Sequence, residues 1–165
     1  NAKAILCQSQ FHADIARKNL ELDNIVSLGG NLWSDKHLDL LEEICKNPER
    51  QTKHAIIASS TDHKNTNGAI NYCEAMNLEY DLIQPAEPSV FLRELGARST
   101  LVFLPKTPET LSRVVVEARM MGMATKTTNN VGAIHEDWFL KKGLDLINHM
   151  RYKQEEIINI VEQYL

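Results

Sequence analysis

Short apolar runs recur along this chain, separated by longer amphipathic stretches, and this alternation narrows the folds open to it more than any other feature. Residues 4–7, 24–28, 54–58, 79–83, 101–104 and 124–128 read as strands. Helical patterns fill the intervals: 10–20, a stretch from Ser34 or Asp35 to Lys46, 68–76, 90–97 and 108–121. Residues 136–142 and 154–165 read as two further helices. Gly29-Gly30 breaks the second strand, Asn47-Pro48 ends the second helix, and Ser89 is a candidate cap for the helix after it. Pro108 and Gly122 bracket the 108–121 stretch in the Pro-start, Gly-stop order of a helix. Strand–helix alternation at this spacing predicts an α/β fold, a Rossmann-like parallel sheet with helices on both faces. Strands covered on both sides are apolar throughout, as in Ile56-Ile57 and Leu101-Val102-Phe103-Leu104.

The chain has 165 residues, enough for one domain with a real core. Residues 51–129 form a tight block within a domain expected over 51–165. Residues 1–50 read as a strand–helix lead-in, a linker from a preceding domain. The chain opens Asn1-Ala2-Lys3-Ala4 without an initiator Met, so we expect a domain cut from a longer protein. A net charge of −4 leaves no basic excess for a general nucleic-acid binder. No apolar run is long enough to span a bilayer and no secretory signal is visible. Cys7, Cys45 and Cys73 are widely spaced, without CxxC pairs, and read as free, buried thiols of a reducing compartment. The expected location is cytoplasmic, compatible with peripheral association at a membrane.

Open parallel sheets bind ligands at the carboxyl ends of their strands. Those ends are 59–67, 84–88, 105–112 and 129–136, three of them rich in polar and small residues. The strongest local feature is one of them: Leu101 to Glu109, then Thr-Leu-Ser-Arg, then Val114 to Gly122. A helix opening there would aim its free first-turn amides and its dipole at an anion such as a diphosphate. Glu109 and Glu117, eight residues apart, would share one helix face. Periodicity alone favours a structural role for Glu109, an acid at a helix start. It leaves Glu117 open, because a carboxylate beside Val114-Val115-Val116 needs either a structural partner or a ligand.

The segment 101–136 resembles the carboxyl-terminal, donor-binding domain of retaining glycosyltransferases with the two-domain GT-B architecture, the group that includes sucrose- and glycogen-synthase-like enzymes. Their mark is a Glu-x7-Glu motif, followed by Ala, a Gly closing the helix, a strand, and an Asn/Gly-rich turn ending in Glu. Here the order is Glu109, Glu117-Ala118, Gly122, residues 124–128, Asn129-Asn130-Val131-Gly132 and Glu136. A bare Glu-x7-Glu occurs by chance, whereas the ordered series is fairly specific.

The resemblance implies one half of a GT-B fold and a nucleotide-diphosphate sugar as substrate, with no bound cofactor or metal. It implies that Glu109 is the catalytic-site carboxylate near the donor sugar, that amides around Leu111 and Ser112 hold the diphosphate, and that Glu117 takes the ribose hydroxyls. Upstream, the family has Gly-Arg at a strand end and a Lys five residues later, both on the donor phosphates. Lys64 has that spacing here, but Ser59 stands where the Arg would be and Ala58 where the Gly would be. Arg113 or Lys106 is a candidate substitute cation. Ser112 replaces a usual Gly. The span from Lys64 to Leu101 is one strand–helix unit short, and the turn 84–88 is the guess for base contact. An amino-terminal acceptor-binding domain is the implied partner, so this chain alone should bind donor and transfer little.

Other features point less far. The six histidines show no metal-ligand spacing. His135, Asp62-His63, Trp33 and Trp138 read as surface or packing residues, and Ser59-Ser60 lacks a nucleophile elbow. Two alternatives stand beside the transferase: a non-catalytic nucleotide or nucleotide-sugar binding module, and a sugar-nucleotide epimerase-type domain. The missing glycine fingerprint counts against the second.

Overall fold

The computed structural model describes residues 2–47 and 49–165; Asn1 and the helix stop expected at Pro48 lie outside them. The strands are β1 (Ile5–Cys7), β2 (Ile25–Ser27), β3 (Gln51–Ile57), β4 (Tyr80–Ile83), β5 (Arg98–Val102) and β6 (Ala124–Lys126). The helices are α1 (Gln10–Leu20), α2 (Asp35–Lys46), α3 (Thr66–Ala75), α4 (Pro88–Gly96), α5 (Arg113–Met120) and α6 (Leu144–Glu162). All pairings are parallel. β1 and β2 form a small sheet around α1, and the main sheet has the order β4-β3-β5-β6. The chain is an α/β fold of Rossmann-like type, its parallel sheets flanked by helices.

The strand order fixes which helix lies on which face. From β3 the chain steps one way to β4, then back past β3 to β5 and on to β6. Right-handed crossovers then put α3 on one face and α4 and α5 on the other. Burial follows that rule. Ile56 and Val102 pack with Ala69 and Cys73 of α3. Ala55, Ile83 and Leu101 point the opposite way, into the main core with Leu92 and Leu95 of α4 and Val115 and Val116 of α5. Leu38, Leu41 and Ile44 of α2 and Leu146, Ile147 and Met150 of α6 complete that core. α2 packs into the main core, whereas the small sheet β1–β2 has its own cluster of Cys7, Ala13 and Ile25.

Several expected elements differ. Residues 108–112 are not helical: α5 begins at Arg113, four residues past Glu109. The Pro108 start signal is overridden by distant bonding. The Glu109 amide donates to the Asn130 carbonyl (2.7 Å), and the Glu109 and Leu111 carbonyls accept from Gly132 and Ala133 (2.9 and 3.1 Å). Residues 109–111 thus run beside 131–133 as a strand-like extension. Glu109 and Glu117 do not share a helix face, and Glu109 is not an acid in a helical first turn. Gly132 sits so close to this loop that a Cβ on it would meet the Thr110 carbonyl oxygen at 2.2 Å.

The cap of α4 is Glu87 rather than Ser89; its carboxylate accepts from the Ser89 and Val90 amides at 2.9 and 3.3 Å, with Pro88 at the helix start. Residues 136–142 hold a 3-10 turn, Asp137–Leu140, and the last helix starts at Leu144, ten residues before the expected Gln154. Ser34 caps α2 and Ser9 caps α1, each accepting from an amide three residues on. β3 begins three residues before the expected start, and β5 covers Arg98–Val102 rather than 101–104.

Candidate functional site

The chain reverses its lateral direction between β3 and β5, so the crevice beyond their carboxyl ends is the topological switch point where such sheets bind ligands. The loops leaving those two strands are stitched together there. Asn65 donates to the Leu104 carbonyl (2.8 Å) and the Lys106 amide to the His63 carbonyl (2.9 Å). Between them Lys64 meets Glu109. The Lys64 Nζ lies 2.8 Å from Oε1 and 3.0 Å from Oε2, and 5.6 Å from the centre of the Phe103 ring. The Glu109 side chain is only 14% exposed and the Lys64 side chain 37%.

Beside this pair the chain turns into α5 through Ser112, whose φ of 67° is left-handed. That conformation is costly for a residue with a Cβ. Among the described residues, the amides of Leu111, Ser112, Arg113 and Val114 carry no protein hydrogen bond. They are the orphan donors of a helix start and carry its positive dipole end. Leu111 contributes main chain only, since its side chain is fully buried in the core. A cleft of about 330 Å³ adjoins, walled by Ile57, Pro85, Phe91, Phe103 and Val114 with Lys64 at its edge. A polar hollow of about 240 Å³ lies on the other side, lined by Ser59, Thr61, Asn65, Asn67 and Lys106 among others.

The remaining sequence candidates fall as follows. The Ser59 amide donates to Thr66 Oγ1 (3.1 Å), and its hydroxyl accepts from the Thr61 amide. Ser59 thus orders the loop before α3 and supplies no charge. Neither candidate substitute cation is free of a carboxylate: Lys106 pairs with Asp62 (2.6 Å), and Arg113 reaches Glu117 (3.4 Å) while lying over the Trp33 ring. Glu117 is 7% exposed, and its Oε1 collects three groups: Trp33 Nε1 at 3.0 Å, His37 Nε2 at 3.1 Å and Arg113. His135 stacks on Phe11, centroids 4.6 Å apart, with its Nε2 3.0 Å from the Asn129 carbonyl. Among the described residues no group of three or more His, Cys, Asp or Glu side chains is placed to hold a metal. Cys7, Cys45 and Cys73 are unbridged, and burial pushes the Cys7 and Cys73 thiols up, with Arg17 opposing the shift at Cys7. No described helix is long and apolar enough to cross a membrane.

Two groups at this site escape a sequence reading. Trp33 and His37 come from more than 80 and from 80 residues away, respectively, and no local pattern ties them to Glu117. The β1–α1 turn also grips the Glu109 loop. The Ser9 hydroxyl donates to the Thr110 carbonyl, Thr110 Oγ1 donates to Gln8 Oε1 (2.6 Å), and the Gln10 amide donates to Glu136 (2.7 Å). A serine before a helical stretch signals only a cap; its second bond, across 101 residues, has no sequence signature.

Fold and crevice together define an α/β chain with a cation–carboxylate pair and unsatisfied helix-start amides at a switch point. No family model matches the chain, and no curated protein matches it. Among solved structures it is similar to a glycosyltransferase from Rickettsia africae ESF-5, at 16% identity and a TM-score of 0.49, over 95% of this chain and 59% of that one. The chain spans less than two thirds of that protein's length.

Proposed function

We propose that this chain is the donor-binding part of a retaining glycosyltransferase, taking a nucleotide-diphosphate sugar as substrate for hexose transfer. The observation that carries the reading is the position of Lys64: a cation at the switch point, held on Glu109 beside four unpaired amides. A diphosphate is the ligand that uses all of these groups at once. Lys64 and the amides around Leu111 and Ser112 would stabilise the charge developing on the diphosphate leaving group, and no metal is needed for that. Glu109, released from Lys64, would face the donor sugar. Glu117 would accept from the ribose hydroxyls, a task suited to a carboxylate with an unused oxygen. The apolar cleft, with Pro85 of the 84–88 turn in its wall, would take the base, its lining of Ile57, Phe91, Phe103 and Val114 suiting an aromatic ring. The acceptor site would lie largely on an amino-terminal partner domain, opposite the crevice.

A second reading is a non-catalytic nucleotide-sugar binding module. Ser59 favours it, because the position where the family carries an arginine holds a neutral residue bonded within its own loop. Calorimetric titration with a panel of nucleotide-diphosphate sugars tests both. The donor-site reading expects one of them to bind and Glu117→Ala to weaken it; binding of none sinks it. Slow hydrolysis of the bound donor separates the transferase from the module, which would leave it intact.

A further inference from the structure

Glu117 is a nearly buried carboxylate with all of its protein partners on one oxygen. Trp33 Nε1, His37 Nε2 and Arg113 converge on Oε1 at 3.0, 3.1 and 3.4 Å. Among the described residues Oε2 accepts from no protein donor. Oε2 is not among the described buried atoms that lack a partner, so it borders solvent, where water or a ligand hydroxyl can donate to it.

The three donors are arranged to hold rather than merely neutralise. Trp33 is 3% exposed and locked in the core, and the Arg113 guanidinium lies 5.1 Å from its ring centre. His37 stands one turn into α2, behind the cap bond from its own amide to Ser34. Its ring forms part of the wall of an open cleft of about 450 Å³ between the starts of α2 and α4, with Ser34, Glu87 and Ser89. Glu117 is therefore gripped from the core by the indole and from the wall of that cleft by the histidine.

We propose that Trp33 and His37 are positioning residues that fix the Glu117 carboxylate with Oε2 presented to a vicinal diol, so that the site selects ribonucleotides over 2′-deoxyribonucleotides. This rests on the donor-site reading above, and it adds two residues from outside the main sheet to that site. A carboxylate held in one rotamer binds a hydroxyl without losing side-chain freedom at that moment. A site built around a hydroxyl rejects the analogue that lacks it, since its own acceptor is then left unpaired.

The experiment measures the affinities of ADP, GDP and UDP, and of their 2′-deoxy counterparts, for the wild-type chain and for Trp33→Phe, which keeps the ring packing and removes the N–H. The wild type should prefer one ribonucleotide over its deoxy form by about tenfold or more, the scale of one hydrogen bond to a charged group. Trp33→Phe should weaken the ribonucleotide more than the deoxynucleotide, which keeps only the 3′-hydroxyl, and bring the ratio towards one, with the unfolding transition still cooperative. His37→Ala, a change at a part-exposed position, should act in the same direction and provides the test should Trp33→Phe unfold. Equal weakening of both nucleotides, or an unchanged ratio in both variants, overturns the proposal while leaving the donor-site reading standing. A wild type that binds without discriminating overturns it too. Absence of binding by every nucleotide and nucleotide sugar overturns the donor-site reading and this one with it.

Discussion

Lys64 and Glu109 lie 45 residues apart in the chain, on the loops that follow two adjacent parallel strands, and meet with the ammonium 2.8 and 3.0 Å from the two carboxylate oxygens. The pair is partly open to solvent, so its contribution to stability is that of a surface ion pair, about 1 kcal/mol or less. Its importance is electrostatic placement. Glu109→Gln should therefore leave the unfolding midpoint almost unchanged and bind a nucleoside diphosphate at least as tightly as the wild type, because the lysine is freed. Hydrolysis of a sugar nucleotide should fall in the same variant. Weaker diphosphate binding in Glu109→Gln would show that the carboxylate, not the lysine, is the anchor.

Ser112 adopts a left-handed backbone at the entry to α5. A side chain in that region costs about 1–2 kcal/mol relative to glycine. Ser112→Gly should recover part of this, raising stability by about 1 kcal/mol in denaturant titrations. It should also widen the approach to the helix-start amides. A lower stability would mean that the Ser112 side chain makes a compensating contact of equal size.

Gly132 is packed against the loop that carries Glu109. An added Cβ would meet the Thr110 carbonyl oxygen at 2.2 Å and the Ser9 hydroxyl at 2.6 Å, and the first of these is backbone that cannot swing aside. Gly132→Ala should cost about 1–3 kcal/mol, the range for overpacking. It should also displace the Glu109 loop and reduce diphosphate affinity. The two effects are read by chemical denaturation and by titration of the same sample.

Asp81 ties three strands together, with Lys53 of β3 at 3.1 Å and Arg98 of β5 at 3.0 Å. The hydrogen bond from Lys53, with that from Arg98, holds its carboxyl below the usual range against the opposing effect of burial. A carboxyl lowered in the folded state adds stability that is complete above its unfolded value of about 3.9. That stability is lost as pH falls through the lower, folded value. Asp81→Asn should be less stable than the wild type at neutral pH, and the gap should close on acidification below about pH 4. A gap independent of pH would place the effect in packing instead.

Much of the architecture was legible because strand and helix periods are local signals. Ile56-Ile57 and Leu101-Val102 announce strands buried on both faces, and the cap at Ser34 and the stop at Gly122 are written in adjacent residues. The failures share one cause. Pro108-Glu109 looks like a helix start, yet bonds to residues 130–133 hold it extended. Residues 144–153 extend the last helix beyond the expected start, packing Leu146, Ile147 and Met150 into the core. The site shows the same division. Lys64, Glu109 and Glu117 are singled out by the family resemblance rather than by any local pattern, and the first two are brought together. Trp33, His37 and Ser9 reach this region across 80 residues or more, where a single sequence carries no signal.

The affinity of the preferred nucleotide-diphosphate sugar for Lys64→Ala shows whether this lysine anchors the donor diphosphate. Lys46→Ala, which alters a lysine paired with Glu42 on α2, serves as the control. An anchoring role requires that Lys64→Ala bind the donor at least about tenfold more weakly, the loss expected of one charge-assisted phosphate contact, while Lys46→Ala matches the wild type. Undiminished donor binding by Lys64→Ala would contradict it.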